Sequence, residues 1–203
     1  MITIVDYGVG NIASLVNMLD HIGFEATASC DPDEIAGANK LILPGIGAFD
    51  HAMRTLADRA LIEPLRMASL ERKVPLLGVC LGMQMLGKRS EEGQLPGQCL
   101  IDADVIRLNP DPRSKLKVPN IGWHEVKPMG VSPLFDASAG HERFYFVHSY
   151  QMRCGDPRDA AATMEYGGAV TIAVSRGNVH GVQFHPEKSH RFGMRLLQRF
   201  AEI

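Results

Sequence analysis

The chain has 203 residues, 45% of them hydrophobic and 22% charged, with a net charge of −2 at pH 7; this excludes disorder, collagen and coiled coil, and leaves enough apolar content for a sizeable core. The acidic balance has the wrong sign for broad nucleic-acid affinity, which counterion release drives through a basic face, and no run approaches the roughly 18 apolar residues of a membrane span. The start lacks the basic-then-apolar pattern of a signal peptide, and Cys30, Cys80, Cys99 and Cys154 are spaced for neither a disulfide framework nor a zinc knuckle, so the expectation is a soluble, cytoplasmic protein with no metal or cofactor.

Residues 2–6 read as a buried strand, after which Gly8 and Gly10 lead into a helix with Ile12, Leu15, Val16, Leu19 and Ile22 on one face, stopped by Gly23. Strands are expected at 24–28 and 40–43, the latter ending at Pro44. A helical pattern from about 50 to 71 is broken near Pro64, then a buried strand at 74–79 precedes a helix from 81 to about 88. Such alternation implies right-handed crossovers and a mostly parallel open sheet with helices on both faces. Beyond Glu91 prolines and glycines become frequent. The runs 144–150, 170–175 and 179–184 read as strands, several of them antiparallel, and a helix at about 189–201 presents Phe192, Leu196, Leu197 and Phe200. With no repeat or linker, the reading is one α/β domain over 1–203 with antiparallel additions in its second half.

Gly78-Val79-Cys80-Leu81-Gly82, between a buried strand and a helix, has the form of a nucleophile elbow with cysteine in place of serine. The flanking glycines suit the close backbone approach of a tight strand-to-helix turn. The turn sets Cys80 at a helix N-terminus, where partial positive charge favours a thiolate, and aims the Leu81 N–H at a developing oxyanion. Such a nucleophile needs a base, and the base an orienter. His185-Pro186-Glu187 offers both: Pro186 keeps His185 extended, and in an extended segment residues i and i+2 face the same way. Pro44-Gly45-Ile46-Gly47 ends another strand, where backbone N–H groups could supply a second oxyanion donor. The remaining histidines have no comparable pairing, and none is expected to bind metal.

A competing reading comes from Gly8-Val9-Gly10-Asn11-Ile12-Ala13, which matches a dinucleotide-binding fingerprint, with Asp31 or Asp33 about 20 residues on. Those acids, however, fall in a Cys-Asp-Pro-Asp turn that looks like a helix cap.

Residues 78–84, 185–187 and 44–47 together resemble the class I, triad-type glutamine amidotransferases. Segments 6–12, 90–92, 119–123, 144–150 and 181–189 narrow the likeness, over essentially the whole chain, to the glutaminase subunits of imidazole glycerol phosphate synthases (the HisH family). The resemblance implies a flavodoxin-like fold and hydrolysis of L-glutamine through a cysteinyl thioester. Cys80 would be the nucleophile, His185 the acid–base and Glu187 its orienter. Leu81, Ile46 and Gly47 would form the oxyanion hole, and Gln84, Glu92, Ser149 and Tyr150 the substrate site. It further implies a heterodimer with a HisF-type (β/α)8 synthase subunit, faced by Asn11 and Trp123, which receives the ammonia and forms imidazole glycerol phosphate and AICAR for histidine biosynthesis. One departure stands out: the family usually has His-Met where this chain has Asn120-Ile121, and Asn where it has His124. That leaves open a paralogue feeding ammonia to another synthase, such as one making amidino sugars.

Overall fold

The computed structural model describes residues 1–130, 132–136 and 140–203. In chain order the elements are β1 (Ile2–Val5), α1 (Ile12–His21), β2 (Ala26–Ser29), α2 (Pro32–Gly37), β3 (Leu41–Gly45), α3 (Phe49–Asp58), α4 (Ile62–Arg66), β4 (Leu76–Cys80) and α5 (Leu81–Met85). They are followed by β5 (Arg89–Ser90), β6 (Ala103–Arg107), β7 (Asn120–Pro128), β8 (Glu142–His148), β9 (Tyr150–Cys154), β10 (Ala160–Glu165), β11 (Ala169–Arg176), β12 (Val179–Val182) and α6 (His190–Glu202). A nine-stranded sheet runs β2-β1-β3-β4-β12-β11-β10-β7-β8, and a three-stranded one runs β5-β6-β9. The large sheet is parallel from β2 to β12 and antiparallel from there to β8. The α/β expectation and its antiparallel second half are both found.

Both faces of the sheet are covered, which is why the central parallel strands are buried throughout and mostly apolar rather than alternating. One face buries Leu41, Leu43 and Leu76 under Phe49, Leu56, Leu65 and Met83, while the other buries Ile4, Ile42 and Leu77 under Leu15, Leu19, Leu196, Leu197 and Phe200. The apolar faces read for α1 and α6 are the ones that pack. Lys40 reaches across to the end of α6, where its ammonium donates to the carbonyls of Phe200 and Ala201, in the last turn, where helix carbonyls run short of partners within the helix.

Beyond shifts of one or two residues at several strand ends, such as β12 stopping at Val182, three places differ from the sequence reading. The helical stretch after residue 50 breaks at Ala60, which has φ +56°, while Pro64 lies in the first turn of α4, where a missing N–H costs nothing. The helix after Cys80 is a single short turn region ending at Met85. The run 144–150 is split: β8 stays in the large sheet and β9 leaves for the small one, with Ser149 at the parting.

The dinucleotide reading loses its structural basis. Asp31 caps α2, accepting from the backbone N–H groups of Asp33 and Glu34 at 2.8 and 3.2 Å. A Cβ at Gly10 would lie 3.0 Å from Pro44, so this loop packs on the end of β3 instead of standing open to cradle a pyrophosphate. Among the described residues no helix is long and apolar enough to cross a membrane.

Candidate active site

Parallel pairing brings three chain segments together at one end of the sheet. β4 lies between β3 and β12, with Cys80 opposite Gly45 and Val79 opposite Val182. The ends of these strands deliver the 44–47 loop, the cysteine turn and the His-Pro-Glu segment to one place, the crevice at the carboxyl ends of strands where open α/β sheets bind ligands.

Cys80 has φ +56° and ψ −113°, a conformation costing about 1–3 kcal/mol for a non-glycine residue and held only by close surroundings. Those surroundings are the glycines. A Cβ on Gly82 would sit 1.8 Å from the Leu43 carbonyl oxygen, and one on Gly78 would sit 2.7 Å from the Gly82 carbonyl oxygen. β3, the turn and α5 can nest only without side chains there. Tyr7, buried at the end of β1, donates its hydroxyl to the Pro44 carbonyl at 2.8 Å and so pins the start of the 44–47 loop. Burial, and then the negative charge of Cys80, raise its phenol above the usual range.

His185 Nδ1 lies 2.9 Å from Glu187 Oε1, with the side chains 7% and 2% exposed. The Cys80 sulfur is the other group that acts on the imidazole. Burial, the largest single influence, pulls the imidazole down. The interactions with Cys80 and Glu187, reinforced by their negative charges, outweigh it and push His185 up to about 10. A buried imidazolium is thus balanced on both sides. The segment is braced from β8: His185 N–H donates to the Tyr145 carbonyl at 3.0 Å, and Ser189 Oγ donates to the His185 carbonyl at 2.6 Å while accepting from the Tyr145 N–H at 3.0 Å.

A cavity of about 320 Å³ opens beside Cys80, a size suited to one small polar metabolite. Ile46, Gly47, Leu81, Gln84, Glu92, Ser149 and Tyr150 all line it with Cys80 and His185, so every expected catalytic, oxyanion and substrate position except Glu187 borders one space. Glu187 stands behind His185. Glu92 is more than a solvated charge: its Oε2 accepts from the Phe49 N–H at 2.9 Å, at the start of α3.

The sequence reading missed three contributors. Gln183 is wholly buried and donates from Nε2 to Cys80 Sγ at 3.7 Å, while Gln84 Nε2 donates to Gln183 Oε1 at 2.9 Å. Gln183 stands just after β12, two residues before His185. Lys188 borders the cavity mouth. His148, also on the cavity wall, is pulled down to about 4 by burial and is therefore neutral. Its Nδ1 faces the Tyr150 carbonyl at 2.7 Å, so that nitrogen carries the proton, and Nε2 accepts from Asn120 Nδ2 at 3.0 Å. Asn120 Oδ1 then accepts from His124 Nε2 at 2.8 Å. The two departures at 120 and 124 are partners in one hydrogen bond, an amide and an imidazole exchanged across it.

Asn11 and Trp123 border no part of the cavity. Asn11 Oδ1 accepts from Ser14 Oγ at 2.9 Å at the start of α1. Trp123 is 36% exposed on β7, stacked on His190 at 5.6 Å and edge-on to Tyr145, with exposed Ile121 and Val147 opposite one another nearby. The other cysteines lack the setting of Cys80. Cys30 and Cys99 are exposed, and burial, followed by the nearby aspartates, pushes Cys154 up to about 11. Among the described residues no cluster of three or more His, Cys, Asp or Glu could hold a metal.

The family model "Glutamine amidotransferase class-I" matches residues 3–203. A relative from Pseudomonas aeruginosa, "Imidazole glycerol phosphate synthase subunit HisH 2", is 49% identical over 203 residues, covering 100% of both chains. One of the same name from Methanococcus maripaludis is 46% identical over 98% of both chains. A solved structure described as a glutamine amidotransferase aligns with a TM-score of 0.77 at 20% identity, covering 99% of this chain and 97% of the other, a likeness of fold.

Proposed function

The chain belongs to the class-I glutamine amidotransferase family, and from that premise we propose that it is the glutaminase subunit of an imidazole glycerol phosphate synthase. It hydrolyses L-glutamine to L-glutamate and ammonia in the cytoplasm and passes the ammonia to a HisF-type (β/α)8 subunit. The observation that carries this reading is the buried Cys80–His185–Glu187 line at the wall of an amino-acid-sized cavity.

The Cys80 thiolate attacks the carboxamide carbon of glutamine, and the carbonyl electron pair moves onto oxygen. N–H groups of Leu81 and of the Ile46–Gly47 segment receive that oxyanion. His185 gives its proton to the departing nitrogen, which leaves as ammonia, and the carbonyl re-forms as a γ-glutamyl thioester. Neutral His185 then takes a proton from water as the water adds to the thioester. Collapse breaks the C–S bond, returns the pair to sulfur and releases glutamate. Glu187 keeps the ring oriented and balances its charge. Gln84, Glu92, Ser149 and Tyr150 hold the amino-acid end, with the Glu92 carboxylate suited to the α-ammonium.

Trp123, Ile121 and Val147 form an apolar patch beside the cavity, an anchor of the kind that interface cores use. With Asn11 they face the synthase subunit, whose docking completes the oxyanion segment and raises the rate. A second reading, ammonia supply to a different synthase such as an amidino-sugar one, is favoured by the changes at Asn120, Ile121 and His124 on this same strand. The deciding experiment is co-purification with the barrel subunit, with glutamate release measured with and without that subunit's nucleotide substrate. AICAR formation supports the first reading; binding without AICAR supports the second. Wild-type turnover in Cys80→Ala overturns both.

A further inference from the structure

We propose that Gln183 is a positioning residue for the nucleophile: its carboxamide N–H, oriented by Gln84, holds the Cys80 sulfur as an aimed thiolate and receives it again as the leaving group. The proposal rests on the glutaminase reading for its catalytic meaning but on geometry for its physical content.

Gln183 follows β12 and continues its ladder, with its backbone N–H donating to the Ile172 carbonyl at 2.8 Å. Two residues later, past a bend at 183–184, comes His185, so one short segment after β12 presents an amide and an imidazole to one sulfur. Gln183 is 0% exposed and Gln84 is buried as well, so neither amide trades its bonds freely with water. Gln84 donates to Gln183 Oε1 at 2.9 Å, which leaves the N–H end of Gln183 to point at Cys80 Sγ, 3.7 Å away. Turning the Gln183 amide around would set its oxygen against the sulfur and its N–H against the Gln84 N–H, losing both bonds. With Gln84 as the donor to Gln183, the chain Gln84–Gln183–Cys80 ends with an N–H directed at the sulfur.

A neutral thiol is a poor acceptor, whereas a thiolate is a charged one, so a fixed N–H donor favours the ionised form. The donor acts twice: before attack it keeps the sulfur charged, and when the thioester collapses it stabilises the pair returning to sulfur. The other ionisable groups around the sulfur are His185 on the same segment, Tyr7 from the end of β1, and Glu187 behind His185. All remain in place when Gln183 is changed.

The test is the pH dependence of Cys80 alkylation by iodoacetamide, followed by mass spectrometry of the Cys80 peptide so that Cys30 and Cys99 do not interfere, in wild type, Gln183→Leu and Gln183→Glu. Losing a donor to a charged acceptor raises the midpoint of the Cys80 curve by about one pH unit in Gln183→Leu. Gln183→Glu, which adds a negative charge, raises it further. Glutamine kcat falls about tenfold in both variants, with KM changing less. Melting curves establish folding; where the leucine variant does not fold, the isosteric glutamate variant decides. Alkylation curves that superimpose on wild type in a folded variant overturn the proposal. Alkylation needs no glutamine, so a shifted midpoint in a chain without glutaminase activity would count against the functional reading and leave the sulfur–amide bond standing.

Discussion

Glu187→Gln separates the charge of the carboxylate from its hydrogen bond. Glu187 Oε1 is 2.9 Å from His185 Nδ1, both side chains are out of solvent, and the imidazolium has only this carboxylate and the Cys80 sulfur among the influences that raise it. A glutamine of the same shape still accepts from Nδ1 through its carboxamide oxygen, so ring orientation and tautomer survive. What changes is the acceptor: a bond to a neutral group is worth about 1 kcal/mol, one to a charged group about 1.5–3 kcal/mol. The difference, about 0.5–2 kcal/mol, corresponds to a roughly two- to thirty-fold fall in glutamine turnover. Glu187→Leu, which removes the acceptor altogether, falls further. The pH dependence has a definite sign. His185 is raised from 6.5 to about 10 in the folded protein, so its stabilising contribution is complete below about pH 6.5 and is lost as pH rises through about 10. Glu187→Gln lowers that folded value, so its deficit in melting temperature relative to wild type is largest near pH 6 and closes toward pH 10. The alkaline limb of its rate profile moves to lower pH. The assays are glutamate release with the partner subunit present and melting across pH 6–10. A variant with wild-type rate and an unmoved alkaline limb refutes the role of the carboxylate charge.

Cys80→Ala is expected to abolish glutamine turnover in a chain that still folds; a residual rate within tenfold of wild type contradicts the nucleophile assignment. Arg199 pairs with buried Glu142 at 3.0 and 3.1 Å, and Arg199→Met strands that carboxylate at a cost of about 3 kcal/mol. This corresponds to a melting point lower by roughly 6–12 °C, with kcat at 20 °C unchanged. Asn120→His and His124→Asn each break the 2.8 Å bond between the two side chains and are expected to destabilise by about 1 kcal/mol. The double exchange recovers most of that loss, and additive losses in this cycle contradict a shared bond. Trp123→Ala is expected to leave glutamate release by the isolated subunit unchanged and to weaken partner stimulation at least tenfold, read from a titration with the barrel subunit.

The local grammar of the chain was legible because it is local. Strand, tight turn and helix around Cys80 are written in consecutive residues, and the glycines at 78 and 82 are dictated by contacts that any such turn must make. The pairing of His185 with Glu187 is local too, though not by the expected strand alternation: Pro186–Lys188 turn as a 3-10 helix directly after His185, and that turn brings the carboxylate back to the ring. Asp31 as a cap is a matter of two residues' reach. By contrast, β6, β9 and β10 carry weak patterns of their own and exist because another strand offers its edge: β6 pairs antiparallel with β9 some fifty positions away, and β10 takes its place between β11 and β7.

The meeting of Cys80 with His185 could be argued from motifs, but the distance between them is set by β12 lying beside β4 in register, a long-range choice that no window of sequence contains. The same holds for Tyr7 bracing Pro44, for Glu92 reaching the start of α3, and for the Gln84–Gln183 bond, whose partners are 99 positions apart. Short-range sterics and hydrogen bonding choose each turn; sheet order, which depends on burying two apolar faces at once, chooses which turns become neighbours.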